Sequence, residues 1–299
     1  MVTKQVQIRA MKRILSALVV AGMTLCSCTG TPSAPEPIRS NELEAFADQF
    51  FAERMEQLHI PGLVFVAVQD GKTILAKGYG KASIQEDRDV QPEASVFRIG
   101  SVSKVFVAAA VLQLVEQGRL ELDADVNGYL QALQVDNRFG TPLTLEHLLT
   151  HTGGIQDPPY ESHTDPSARQ PLAQFLAHDL LPIATAPGDE FRYSSNGYAL
   201  AAYVVEEVSG LPFDQYVEEH ILQPLGMRST TYLLTPQVPA EMATGSATGN
   251  ATGNAAGYAY RDGSLAAQPL DYNDDYPAGA LTSTGSDMAN FMTAMLGDG

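Results

Sequence analysis

The segment FRIGSVSKVFVAAAVLQLVEQGRL, Phe97 to Leu120, constrains the fold more than any other. It reads as a helix destined for the core, so the rest of the chain has to pack around it. Val105, Ala108, Ala109, Leu112 and Val115 keep the three- and four-residue spacing expected of its buried face, and Gly118 is placed to end it. Yet the first turn carries Ser101 and Lys104. An isolated ammonium is costly to bury, so a lysine beside such a core needs a partner or must give up its proton.

Those two residues can do chemistry together. On a helix, residues three apart share a face, which brings hydroxyl and amine within hydrogen-bond reach. A serine hydroxyl is a weak nucleophile until a base takes its proton, and a desolvated lysine can be that base. The helix N-terminus adds a positive field, and the backbone N–H of Ser101 is placed to hold a developing oxyanion. The bland alternative is a capping serine followed by a surface lysine. Of the six lysines, only Lys104 has a serine three residues earlier, and a dense apolar run follows it directly.

With 299 residues the chain has room for one large domain or two interleaved subdomains. A charged fraction of only 18% argues against disorder, and a net charge of -17 argues against nucleic acid as a partner. The first residues differ in character: Lys4, Arg9, Lys12 and Arg13 precede the apolar run Ile14 to Leu25, a secretory signal pattern over residues 1–27. Met11 is placed to be an alternative start. Cys26 and Cys28 are the only cysteines, and LCSC resembles a bacterial lipobox in which Cys28 becomes the lipidated first residue. The alternative is a plain signal peptide with incidental cysteines. Either way the chain is expected to be exported to the periplasm, and in the lipobox reading it touches a membrane only through this N-terminal lipid anchor.

Residues 28–40 are rich in Pro, Ser and Thr and read as a tether, leaving 41–299 as the folded domain. Leu43, Phe46, Ala47, Phe50, Phe51, Met55 and Leu58 space an amphipathic helix that Pro61-Gly62 stops. Two strand-like runs, 63–68 and 73–80, flank Asp70-Gly71, a hairpin signature. Helical spacing returns at Leu172 to Leu180, Gly197 to Val208 and Phe213 to Leu222, and TGSATGNATGNAAG at 244–257 reads as a flexible loop.

FRIGSVSK, LLTHTGGI at 148–155, PGDEFRYSSNGYALAAYVVEEVSG at 187–210, ILQPLGM at 221–227 and AGALTSTGSDMANFM at 278–292 occur in that order. Together they resemble the serine hydrolase family of class C beta-lactamases, penicillin-binding DD-peptidases and carboxylesterases, from about Leu43 to the last residue. The resemblance implies an α+β fold of the beta-lactamase/transpeptidase type: an antiparallel sheet flanked by helices, plus an all-helical subdomain, with the site between them. It implies that Ser101 is acylated, that Lys104 is its partner, and that Tyr193 is the tyrosine of the family's Y-x-N element, cooperating with the lysine in moving protons. No cofactor is implied.

Two departures qualify the reaction. The third position of Y-x-N is Ser195, with Asn196 one place later, so both are carried as candidate substrate-binding residues. The family's asparagine orients an acyl-amide of the substrate; a serine is shorter and offers one hydroxyl instead, which favours an esterase or peptidase over a beta-lactamase. The family's later K-T-G or H-x-G element is not found: GKT at 71–73 belongs to the hairpin, and His151-Thr152-Gly153 reads as a helix end. The expectation is a chain that stops short of the family's last strands and of one oxyanion-hole N–H.

The resulting expectation is a serine hydrolase acting by acyl transfer on an ester, a D-Ala-D-Ala peptide or a beta-lactam, with a small-molecule or peptidoglycan-type substrate. The rival readings are a non-catalytic penicillin-recognising or cell-wall-binding lipoprotein and an inactive gene fragment. The six histidines show no metal-ligand spacing, and the cluster Asp271, Asp274, Asp275 lacks the glycine and glutamate of an EF-hand, so it is read as a solvated loop and no metal is expected.

Overall fold

The computed structural model describes residues 37–159, 162–163, 165, 169–232, 257–268 and 272–297. The signal segment, Cys28 and most of the tether therefore lie outside the described residues, as does the 244–257 repeat except for Gly257.

The chain enters through helix α1 (Ser40–Leu58), which ends at His59 in the left-handed conformation. Strands β1 (Gly62–Gln69) and β2 (Lys72–Ser83) form the expected antiparallel hairpin, and short β3 (Arg88–Asp89) adds to the far side of β2. Both turn residues have positive φ, 49° at Asp70 and 72° at Gly71, the combination that suits the right-handed twist of a hairpin. Side-chain alternation along β1 gives each face its own helix. Phe65 meets Phe51 of α1, whose Glu44 and Asp48 also bind Lys77 of β2. On the opposite face Val64 and Val66 lie against Gly285, at the start of α7 (Gly285–Leu296); a Cβ there would come within 2.6 Å of Val64. This is the anticipated sheet flanked by helices.

The second region is helical. α2 (Ser103–Glu116), α3 (Leu145–Leu149), α4 (Leu172–Asp179) and α6 (Phe213–Val217) pack around α5 (Ser195–Ser209), and α6 continues into a wider turn over Glu218–Leu222. α5 is buried along most of its length, from Asn196 to Val205. The two regions meet beside α2: β4 (Phe97–Arg98) pairs with β7 (Thr282–Ser283), so the segment entering α2 is tied to the segment entering α7. A further hairpin, β5 (Gly257–Arg261) with β6 (Ser264–Gln268), was not legible behind the low-complexity repeat.

The buried face of α2 differs from the expectation. Phe106, Val107, Ala110, Val111 and Leu114 are fully buried, whereas Val105 and Leu112 are both 42% exposed. With Val, Ala, Phe and Leu on every side, periodicity cannot choose between two neighbouring stripes; the tertiary fold turns the stripe that contains Lys104 inward. The aspartate cluster also departs from a solvated loop: Asp274 is buried, pairs with His163 at 3.0 Å and accepts from Gln170 N at 2.8 Å, and Asp271 lies outside the described residues.

At the C-terminal end of α5, Glu206 accepts a hydrogen bond from Phe213 N at 2.7 Å and so fixes the start of α6. Burial, with the charges of Asp214 and Glu207 nearby, pushes its carboxyl up to about 7 against the pull of that hydrogen bond. The folded chain then holds this proton more tightly than the unfolded chain, so stability falls as pH rises through the window between about 4.5 and about 7. Two measurements check these assignments. In urea unfolding, Leu114→Ala is expected to cost about 3 kcal/mol and Leu112→Ala less than about 1. Glu206→Gln is expected to lift the melting temperature relative to wild type at pH 8 but not at pH 5, a relative gain on the order of 2 kcal/mol.

Candidate active site

The residues leading into α2 form a tight turn, Gly100–Val102, that leaves Ser101 at the surface. Ser103 anchors this turn from below: its hydroxyl donates to Gly100 O at 2.6 Å and accepts from Leu281 N at 3.2 Å. Ile99 N donates to Leu281 O at 3.0 Å. The nucleophile candidate is thus held on both sides by Leu281, the residue just ahead of β7.

Lys104, one turn on, is only 6% exposed. Its Nζ donates to Ser101 Oγ at 3.3 Å, to Ser195 Oγ at 3.3 Å and to Ala278 O at 2.9 Å. It also lies 4.8 Å from the centre of the Tyr193 ring and 5.8 Å from that of Tyr198. All of these are neutral groups, while the charge of Lys104 is felt by the buried carboxyl of Asp275. The Tyr193 hydroxyl donates to Ser101 Oγ at 2.8 Å. Ser101 therefore receives two hydrogen bonds, one from an amine beneath it and one from a phenol that is 49% exposed at the rim. Either group is within reach of the serine proton, which is the geometric requirement for a general base.

Four of the five predicted site residues in the folded region thus come together: Ser101, Lys104, Tyr193 and Ser195. Asn196 does not join them. It is buried, and its amide donates to Asp179 O at 3.0 Å, tying α5 to the end of α4. Ser195 takes the lysine contact instead.

Several participants were not read from the sequence. The loop after α3 does end a helix, with His151 in the left-handed region at φ 58°, but it also supports the tyrosine. The His151 ring stacks on Tyr193 with centroids 4.3 Å apart, and its Nδ1 accepts from Ser194 N at 3.2 Å. Burial, and then the neighbouring Lys104, hold this imidazole below the ordinary histidine range, partly opposed by Asp157. Asp157, two residues past the LLTHTGGI stretch, accepts from Ser194 Oγ at 2.6 Å, Ser195 N at 2.6 Å and Asn196 N at 3.1 Å. Nearby, burial pushes the carboxyl of Asp275 up from its usual value. Among the described residues no group of three or more His, Cys, Asp or Glu side chains is placed to hold a metal ion.

Residues 47–299 match the protein family described as Beta-lactamase, and the chain belongs to that family. The solved octameric penicillin-binding protein homologue from Pyrococcus abyssi superimposes with a TM-score of 0.69 at 28% identity, covering 84% of this chain and 55% of that one. The fold is accordingly of the beta-lactamase/transpeptidase type. Among curated relatives, the D-alanyl-D-alanine-carboxypeptidase/endopeptidase AmpH of Escherichia coli K12 is 29% identical over 76% of this chain and 59% of its own length. Protein flp of Staphylococcus aureus MW2 is 28% identical over 66% of this chain and 40% of its own. The chain spans about half the length of the curated relatives it matches.

The loop that carries His151 turns on Gly154, at φ 69°, where an added Cβ would fall 2.1 Å from Thr185 O. Gly154→Ala is therefore expected to cost about 2 kcal/mol in chemical denaturation, from backbone strain and the clash together.

Proposed function

We propose that this chain is a serine hydrolase that works by acyl transfer. Ser101 Oγ bonds to the carbonyl carbon of the substrate while its proton passes to Lys104 or Tyr193. The backbone N–H of Ser101, in the turn that starts the helix, meets the developing oxyanion. The bond to the leaving group then breaks, the leaving group takes up the proton through Tyr193, and water attacks the acyl-serine with the same groups acting in reverse. The observation that carries this reading is the pair of hydrogen bonds converging on Ser101 Oγ, from Tyr193 at 2.8 Å and from Lys104 at 3.3 Å. Membership in the Beta-lactamase family supports it.

For the substrate we infer an ester or a D-alanyl-D-alanine-type peptide rather than a beta-lactam. AmpH, by its name, cleaves the peptide class. At the third position of the Y-x-N element Ser195 presents one hydroxyl, already engaged by Lys104, and offers no amide to a lactam side chain. The signal-like N-terminal sequence and the lipobox-like LCSC ending at Cys28 support export and a lipid anchor as part of the same proposal.

Mass spectrometry of the chain after mixing with p-nitrophenyl acetate, a D-Ala-D-Ala peptide and benzylpenicillin tests the proposal. The expected result is an acyl adduct on the peptide containing Ser101, rapidly formed and lost with the ester or peptide and absent in Ser101→Ala. Unchanged ester turnover in Ser101→Ala overturns it. An adduct that persists with all three substrates would favour a penicillin-recognising, non-turnover protein.

A further inference from the structure

We propose that the loop from His151 to Asp157 is the positioning element of this site: the Asp157 carboxylate and the His151 ring hold Tyr193 and Ser195 in register with Lys104 and Ser101. The inference rests on the acyl-transfer reading above and adds to it two residues outside the serine, lysine and tyrosine set.

Tyr193 lies 92 positions from Ser101 in sequence and is half exposed, so neither chain proximity nor core packing selects the rotamer that brings its hydroxyl to Ser101. Ser195 is the first residue of α5, where backbone N–H groups have no helical partner and the chain tends to fray. Both groups that flank Lys104 therefore sit on a segment that is free to move unless something outside the helix holds it.

The loop supplies that hold. Arg192 N donates to His151 O at 2.7 Å and Ser194 N to His151 Nδ1 at 3.2 Å. One oxygen of Asp157 takes Ser194 Oγ and Asn196 N, while the other takes Ser195 N. Ser194 Oγ in turn accepts from Gly197 N at 2.9 Å. From Ser194 to Gly197, every backbone N–H at the start of α5 is thereby bound by Asp157, His151 or Ser194. A carboxylate at a helix N-terminus is favourable in itself, and here the same carboxylate fixes where the helix begins. Between these clamps the Tyr193 ring is stacked on the His151 ring, which turns its hydroxyl toward Ser101.

A shift of about 1 Å in this segment would lengthen two hydrogen bonds at once, from Lys104 to Ser195 and from Tyr193 to Ser101. Misplacement of that size costs about a hundredfold in rate when it separates reacting groups. The loop is thus expected to act on turnover more than on substrate affinity. It also couples the site to pH, because Ser194 N needs an unprotonated Nδ1 on His151. The charged and titratable groups facing that ring are Lys104 from α2, Asp157 from its own loop, Tyr193 ahead of α5 and Tyr198 on α5. Protonation of His151 puts a positive charge beside the Lys104 amine and removes an acceptor, so turnover is expected to fall on the acid side of the ordinary histidine range.

The test uses the full chain with p-nitrophenyl acetate, with amide hydrogen exchange measured in parallel. Asp157→Ala is expected to lower kcat about a hundredfold with KM within about threefold of wild type, and Asp157→Asn, which keeps one acceptor, to recover about tenfold of that loss. His151→Phe, which keeps the ring stack but not the acceptor, is expected to lower kcat and to lose the acid limb of the kcat profile. Wild-type kcat in both Asp157→Ala and His151→Phe overturns the proposal. So does a fall in activity that only tracks the folded fraction, with the acid limb intact in His151→Phe, since that is the signature of a purely structural loop. Exchange at the Ser195 and Asn196 amides reads the clamp without turnover: it is expected to speed up in Asp157→Ala, and unchanged protection there also overturns the proposal. If wild type forms no Ser101 adduct while that exchange behaves as expected, the acyl-transfer reading fails and the positioning role stands.

Discussion

The site depends on a lysine amine held beneath the surface by hydrogen bonds to neutral groups. Lys104 Nζ meets two serine hydroxyls, one backbone carbonyl and the faces of two tyrosines. Burial of an amine among such partners is unfavourable unless each hydrogen bond is well made, and the partners come from four separate places: the α2 turn, the start of α5, the Tyr193 segment and the Tyr276–Ala278 turn. The requirement to satisfy this one group therefore links elements far apart in sequence. It also explains why the turn before α2 is braced through Ser103 and Leu281 rather than left to move.

The same constraint orders the two regions of the fold. The turn that carries Ser101 enters the helical region from the sheet through β4, and the start of α5, with Tyr193 just ahead of it, faces that turn from within the helical region. Ser101 and Lys104 become useful together with Tyr193 only because α2 packs directly on α5, and the buried stripe of Val107, Ala110, Val111 and Leu114 forms part of the core that holds the helices there.

Legibility in the sequence followed the range of the interaction. The Asp70-Gly71 hairpin was readable because the turn needs residues that tolerate positive φ, a purely local demand. Ser101 and Lys104 were readable because three residues on a helix is a fixed geometry, and Tyr193 and Ser195 because their flanking motifs resemble a known family. The inward face of α2 was not, since its composition is apolar on both candidate stripes and only tertiary packing distinguishes them. Asn196 was carried as a binding residue because it is one position from the motif, yet one position on a helix is a rotation of about 100°, enough to send its amide to Asp179 O. Asp157 was not singled out and His151 was read only as a helix end, because most of the hydrogen bonds they accept come from backbone N–H groups, which leave no mark on the partner sequence.

The central claim is that Lys104 makes Ser101 a nucleophile. Its most direct test is the pre-steady-state burst of p-nitrophenol from p-nitrophenyl acetate, compared between wild type and Lys104→Met, which keeps the buried stem and loses the amine. The account predicts a burst of about one equivalent per chain in wild type and a burst rate at least about a hundredfold slower in the variant, with the folded state retained. An equal burst rate in the two proteins would contradict it.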